Sequence, residues 1–337
     1  MCIHNEGENG ALSMLEGELC DYGEYEIKWF RREKMFSSLK GKIAFYFSVP
    51  YHMATANYIF LNDNFMPMAN MSFSPETKVI QLWHGEGAMK RACLAMKLPP
   101  SEEKRLKKCN SKLDDLVVSS KGVIDVYAET FGIDKKKIYA LGAPRADYFF
   151  KNSKDEARAR LVEQYPELEG KKIVLYAPTF RDDEAKNKAL MSCFPFEEFA
   201  KLQDYALLVR LHPQVGGYLK DGEGFINVSD YKSVSELALA ADILISDYSS
   251  VIMDFTVQSK PVVYFAFDLE DFQNSERGFY FDYETYVGGA VAKTGEELIE
   301  IFKSGDFKEE KIEKFRDFNF DYLDKYSSRR VIEKLVN

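Results

Sequence analysis

Apolar, β-prone runs recur along this chain with helical patterns between them, and few folds accommodate that alternation. Strands are expected at 25–30, 43–48, 57–61, 78–83, 115–119 and 137–141. In the second half they are expected at 172–177, 205–211, 242–246 and 261–265. Helical patterns fall between them, at 121–131, near 195–203, at 233–241 and at 249–258. Strands rich in Val, Ile, Leu and Tyr that alternate with helices imply parallel sheets covered on both faces. Gly142-Ala143-Pro144 ends a strand, and a charged helix follows at about 153–164. The chain therefore reads as two αβα domains, 1–150 and 151–310, with a cleft between them. A helical segment, 311–337, is expected to pack back on the first domain. No clear first strand precedes the helix-like residues 9–20, so either a truncated chain or a first sheet one strand shorter is expected.

A length of 337 residues suits two domains. With 46% hydrophobic and 29% charged residues the composition is that of a globular protein, neither disordered nor fibrous. No apolar run approaches the roughly eighteen residues that span a bilayer, so no transmembrane helix is expected. Met1-Cys2-Ile3-His4-Asn5-Glu6 has neither the basic start nor the apolar stretch of a secretory signal. The five cysteines are scattered without a C-x-x-C pair, which suggests neither a zinc site nor a disulfide framework. A cytoplasmic location is expected. The net charge of −9 argues against a nucleic-acid partner. Between Glu86 and Lys112, however, eight Lys/Arg stand against three Glu. Such a run is ordinarily a solvated helix face, but it also suits an anionic surface or polymer.

In open α/β sheets ligands bind beyond the carboxyl ends of the strands. The residues just past the strand ends are therefore informative: His84-Gly85, then Pro178-Thr179-Phe180-Arg181, then His212-Pro213, then Asp247-Tyr248-Ser249-Ser250. An imidazole titrates near neutrality and can take a proton from a hydroxyl, which makes His84 a candidate base; a core histidine bonded to a carbonyl is the ordinary alternative. Gly85 and Gly87 beside it would let a ligand approach the backbone. Arg181 has the fork geometry for two phosphate oxygens, or else makes a surface salt bridge with Asp182 or Asp183. Ser249 and Ser250 open a helix whose N–H groups suit an anion, or else they simply cap it. Asp182, Asp183 and Glu184 could be metal ligands, but the chain contains no Asp-x-Asp pair and a solvated loop is the expected reading.

Together these motifs resemble the CDP-glycerol:poly(glycerophosphate) glycerophosphotransferases, which build teichoic acids and related polyol-phosphate polymers. The matching stretches, in the family's order, are Tyr51–Tyr58, Gln81-Leu82-Trp83-His84-Gly85 with Lys90, Leu141–Asp147, Leu175–Asp183 and Arg210-Leu211-His212-Pro213. They continue with Ser246–Val251, Asp254-Phe255, Lys260-Pro261 and Arg277–Phe281. The resemblance runs from about residue 40 to about residue 290. It implies two Rossmann-like domains of the glycosyltransferase type B class, independent of metal and of any cofactor. The implied reaction passes a polyol phosphate, glycerol phosphate first and ribitol phosphate as the alternative, from a CDP-polyol donor to a hydroxyl of a lipid-linked or polymeric acceptor, releasing CMP. It further implies His84 as base, with His212 catalytic and on the donor pyrophosphate. Arg181, Thr179, Ser249 and Ser250 would share that pyrophosphate. Gly142, Pro144, Arg145, Asp247 and Asp254 would line the nucleotide site or cleft. Gly85, Glu86 and Lys90 would face the acceptor.

The family's usual Thr-Pro after the His-Gly is replaced here by Glu86-Gly87, on the acceptor side, and residues 92–112 are longer than the family's usual stretch. The products of this family are built on lipid carriers, so peripheral contact with the inner membrane face through residues 90–112 is expected. Two rival functions share some of these features. A nucleotide-sugar glycosyltransferase shares the fold, and a non-catalytic polymer- or membrane-binding module would use only the basic stretch.

Overall fold

The strands that form are short, those at the centre of each sheet are buried, and each packs side by side with parallel neighbours. A computed structural model describes residues 2–4, 10–23, 25–31, 38–181, 183–211, 224–275 and 278–336. The chain divides into two units: residues 1–150 with 318–337, and residues 151–317.

The first unit holds a six-stranded sheet in the order β2-β1-β3-β4-β5-β6, every pair parallel. Its strands are β1 (Cys2–His4), β2 (Trp29–Arg31), β3 (Tyr58–Leu61), β4 (Lys78–Gln81), β5 (Asp115–Val118) and β6 (Ile138–Ala140). The sheet is not a strand short: β1 pairs with both β2 and β3. Three residues, Cys-Ile-His, are too few to show an alternating pattern, which is why the sequence did not reveal them. The helix Ala11–Tyr22 buries Ala11, Leu12, Leu15 and Leu19 on one face. That face packs on Phe60, Ile80 and Val117 of the sheet and on Val331, Ile332 and Leu335 of the helix Ser327–Leu335.

Residues 43–48 are not a strand. They lie inside the helix Leu39–Thr55, which Ser38 caps by accepting from the Gly41 amide at 3.0 Å. Phe45, Val49 and Met53 are buried at helical spacing, while Leu39, Ile43, Tyr46, Phe47 and Tyr51 are exposed. A run that is apolar on every side carries no periodicity by which strand and helix can be told apart.

The second unit holds another all-parallel sheet, in the order β12-β11-β10-β7-β8-β9. Its strands are β7 (Lys172–Tyr176), β8 (Tyr205–Val209), β9 (Ile226–Asn227), β10 (Ile243–Ser246), β11 (Val262–Phe265) and β12 (Ala290–Ala292). The chain moves outward from β7 to β9, returns to the other side of β7, and moves outward again from β10 to β12. The strand order therefore reverses between β7 and β10, the position at which open α/β sheets form a crevice. Both strands are buried along their centres, and their side chains belong to a core with Phe194, Phe199, Leu298 and Phe302. Among the described residues no helix is long and apolar enough to cross a membrane.

Candidate active site

In the first unit the site begins where β4 ends. Trp83 adopts a φ of 59°, a left-handed conformation that costs a bulky L-residue roughly 1–2 kcal/mol. This turn places His84 at the surface. The His84 Nδ1 lies 2.7 Å from the backbone carbonyl of Asn62, just past β3. A carbonyl oxygen only accepts, so Nδ1 carries the hydrogen, and Nε2 of the neutral ring remains a proton acceptor. The Trp83 and His84 rings lie 4.4 Å apart, and the indole meets Phe131 edge-on at 5.1 Å. The loop beyond is pinned: the Tyr127 hydroxyl bonds the carbonyls of Gly85 and Gly87, and the Ala88 amide donates to Asn319 at 3.1 Å. A Cβ at Gly85 would stand 3.0 Å from the Trp83 indole nitrogen, so this glycine makes room for the indole. Glu86 and Lys90 are half-buried on the same segment.

In the second unit the loops after β7 and β10 are joined at the point of strand reversal. The Thr179 amide donates to Asp247 Oδ1 at 2.8 Å. The Thr179 hydroxyl is buried and has no hydrogen-bond partner. A buried hydroxyl left unpaired is costly unless a ligand satisfies it. The helix Val251–Thr256 begins just beyond Asp247. Ser250 stands at its N-cap position without a side-chain capping bond, half-buried Ser249 precedes it, and Asp254 is buried within it.

Arg181 requires a correction. It is fully buried and presents no fork to a phosphate. Among the described residues its ionic partners are distant in the chain, and Asp183 is not one of them. Its Nε and Nη2 donate to Asp268 at 2.8 and 3.0 Å, Nη2 also donates to Asp247 at 2.8 Å, and Nη1 donates to the Thr179 carbonyl at 2.6 Å. The guanidinium lies over the Tyr248 and Phe272 rings at 5.0 and 5.2 Å. Burial opposes its charge, but the Asp247 and Asp268 carboxylates outweigh this and hold it protonated well above the ordinary arginine range. Arg181 thus shapes the Thr179 loop from beneath. Asp247 is corrected with it, because its oxygens are taken by Arg181, Thr179 and the Tyr248 amide. Asp183 caps the helix Glu184–Ser192, accepting from the Ala185 and Lys186 amides.

Gly142, Pro144 and Arg145 sit on a packed turn. They lie in the first unit after β6, against the start of the helix Ser327–Leu335. A Cβ at Gly142, where φ is +93°, would stand 2.5 Å from Ser327 Oγ. Neighbouring Asp147, which is buried, accepts from the Ser327 and Ser328 amides at 2.9 and 2.8 Å and so caps that helix. The segment is thus packed against the start of that helix. His212, Asp182 and Arg277 lie outside the described residues.

Two contributors escaped the sequence reading: Asn62, which holds His84, and Asp268, which holds Arg181. Asn62 directly follows β3 and Asp268 lies three residues past β11, so the strand-end rule that found His84 would have found both.

The family model for CDP-glycerol:poly(glycerophosphate) glycerophosphotransferase matches residues 10–337. The chain is 33% identical over 301 residues to the teichoic acid poly(ribitol-phosphate) polymerase of Bacillus spizizenii, covering 86% of this chain and 48% of that protein. It is 30% identical over 312 residues to the teichoic acid glycerol-phosphate primase of Bacillus subtilis, covering 86% of this chain and 77% of the primase. It spans 62% and 53% of two Staphylococcus aureus ribitol-phosphate polymerases, so the polymerases are longer proteins than this chain. Among solved structures, the wall teichoic acid polymerase TagF superposes with a TM-score of 0.79 at 23% identity, covering 98% of this chain and 87% of that one. The fold is therefore the expected one, two Rossmann-like units of the glycosyltransferase type B class, and the chain belongs to the CDP-glycerol:poly(glycerophosphate) glycerophosphotransferase family.

Proposed function

We propose that this chain transfers a polyol phosphate from a CDP-polyol to a hydroxyl of a teichoic-acid-like polymer or lipid-linked acceptor and releases CMP. The observation that carries this is His84, exposed on a pinned loop with its Nδ1 hydrogen committed to Asn62 and its Nε2 left to accept. The acceptor oxygen attacks the β-phosphorus, the bond from that phosphorus to the CMP oxygen breaks, and His84 Nε2 takes the hydroxyl proton. The Thr179 hydroxyl, Ser249, Ser250 and the start of the helix Val251–Thr256 hold the diphosphate, with His212 as a further ligand. Phosphoryl transfer depends mainly on such positioning and charge stabilisation. Glycerol phosphate is the first candidate cargo and ribitol phosphate the other. Relatives named for each support keeping both.

Ligands that bind only the folded chain raise its melting temperature. CDP-glycerol or CDP-ribitol is expected to do so where UDP- and GDP-sugars do not; the reverse result would favour a nucleotide-sugar glycosyltransferase. Thr179→Val keeps the side-chain shape and removes the unpaired hydroxyl. It is expected to weaken donor binding about tenfold, as the loss of one hydrogen bond to a charged group does. Titration calorimetry measures this directly.

We also place the acceptor at an anionic membrane surface. Supporting this, Lys97, Lys104, Arg105, Lys107 and Lys108 are exposed in the basic stretch, and the helix Leu39–Thr55 exposes an apolar stripe that includes Phe47 at 76% and Leu39 at 75%. Apolar area and basic charge together are what interfacial binding needs, each Lys or Arg adding about 1 kcal/mol near anionic lipid. Cosedimentation with phosphatidylglycerol vesicles is expected, with clear weakening in a Lys97→Glu, Lys104→Glu, Arg105→Glu triple variant. Equal binding by the variant would remove the basic stretch from this role.

A further inference from the structure

The base assigned above is held by two segments that leave the sheet side by side, the exits of β3 and β4. One buried side chain joins them. Gln81, the last residue of β4, pairs in register with Leu61 of β3 and is 1% exposed. Its Oε1 accepts from the Trp83 amide at 2.9 Å, and its Nε2 donates to the Asp63 carbonyl at 3.2 Å. An amide N–H can only donate and a carbonyl can only accept, so the two contacts fix the orientation of the Gln81 carboxamide. One arm holds the residue before His84, in the strained backbone that turns the ring outward. The other holds the residue after Asn62, whose carbonyl receives the His84 Nδ1 hydrogen.

We propose that Gln81 is a positioning residue that sets the tautomer and presentation of His84, a role that rests on His84 being the base. The Nδ1–H···O bond needs the β3 and β4 exits at one fixed separation; the Leu82 amide bonds the Leu61 carbonyl at 2.7 Å, and beyond that pair the Gln81 side chain spans them. Without it the turn at Trp83 loses the acceptor for its amide and the Asn62 carbonyl can drift from the ring. The neutral imidazole would then be free to place its hydrogen on Nε2, and the nitrogen that must accept the acceptor-hydroxyl proton would no longer be basic.

Gln81→Met nearly conserves volume and removes both arms. Gln81→Glu keeps the acceptor for Trp83 and sets an oxygen against the Asp63 carbonyl. Expected for Gln81→Met are a 10- to 100-fold fall in kcat for CMP release from the active CDP-polyol and a KM for that donor within twofold of the parent's. Side-chain ¹⁵N shifts should show the neutral His84 moving from the Nδ1–H toward the Nε2–H form. The chain has four histidines, so His84→Ala assigns the signal. A merely structural glutamine would lower the melting temperature without moving that tautomer. Retention of the Nδ1–H form with kcat within threefold of the parent's would overturn the proposal. Should Gln81→Met fail to fold, Gln81→Glu carries the same two readouts, with a smaller expected fall. Full turnover in His84→Ala would instead remove His84 as base; the ¹⁵N readout would still decide whether Gln81 controls the ring.

Discussion

Replacing His84 by alanine is expected to lower CMP release about 10²–10⁴-fold, the usual contribution of a general base, while the melting-temperature rise produced by the CDP-polyol persists. The reason lies in the ring's attachments. Its Nδ1 bonds a backbone carbonyl and its ring lies against Trp83, but its exposed position means that truncation leaves no cavity in the core. Substrate binding and chemistry should therefore separate cleanly. His84→Asn tests geometry further, because its amide offers a hydrogen-bond donor toward the Asn62 carbonyl yet accepts no proton at neutral pH. Turnover within threefold of the parent in either variant would exclude His84 from proton transfer.

The second large effect is expected at Arg181. Replacing it by methionine should destabilise the second unit by about 3–5 kcal/mol, since it strands the buried Asp247 carboxylate without its cation. Asp268, at 14% side-chain exposure, loses its bidentate partner as well. Arg181→Lys should recover little, because an ammonium cannot reproduce the fork that meets Asp268 at two nitrogens and Asp247 at one of them. Pairing Arg181→Met with Asp247→Asn should recover part of the loss by removing the stranded charge. Urea unfolding of the four proteins gives these differences. A single Arg181→Met cost below 1 kcal/mol would show that the network carries no such weight.

The parts of the site legible in the sequence share one physical cause. His84 and Thr179 each stand three residues past the end of a buried hydrophobic strand, and a parallel sheet gathers its strand ends on one edge. What could not be read were contacts made across the chain. Arg181 meets Asp247 66 residues away and Asp268 87 away, and the local sequence offered Asp182 and Asp183 as equally good partners. The Gly142–Asp147 segment looked like a ligand loop because Gly, Pro and Arg are typical of such loops. Its true neighbour, the helix at Ser327, lies 180 residues on from Asp147. Residues 43–48 failed for a different reason, since residues apolar on every side fit a strand as well as a helix.

The first unit is assembled from two stretches of chain with the whole of the second between them. Val331, Ile332 and Leu335 are as deep in its core as Leu12 or Ile80, and Asp147 waits for two amides that belong to Ser327 and Ser328. During synthesis on the ribosome the second unit can close as soon as its own contiguous sequence has emerged. The first unit, begun earlier, must remain an open intermediate until the residues that complete it arrive. The unit that carries His84 is thus the later of the two to mature, and a ribosome stalled short of residue 327 would yield a folded second unit and an unfinished first unit with the apolar face of its helix Ala11–Tyr22 uncovered.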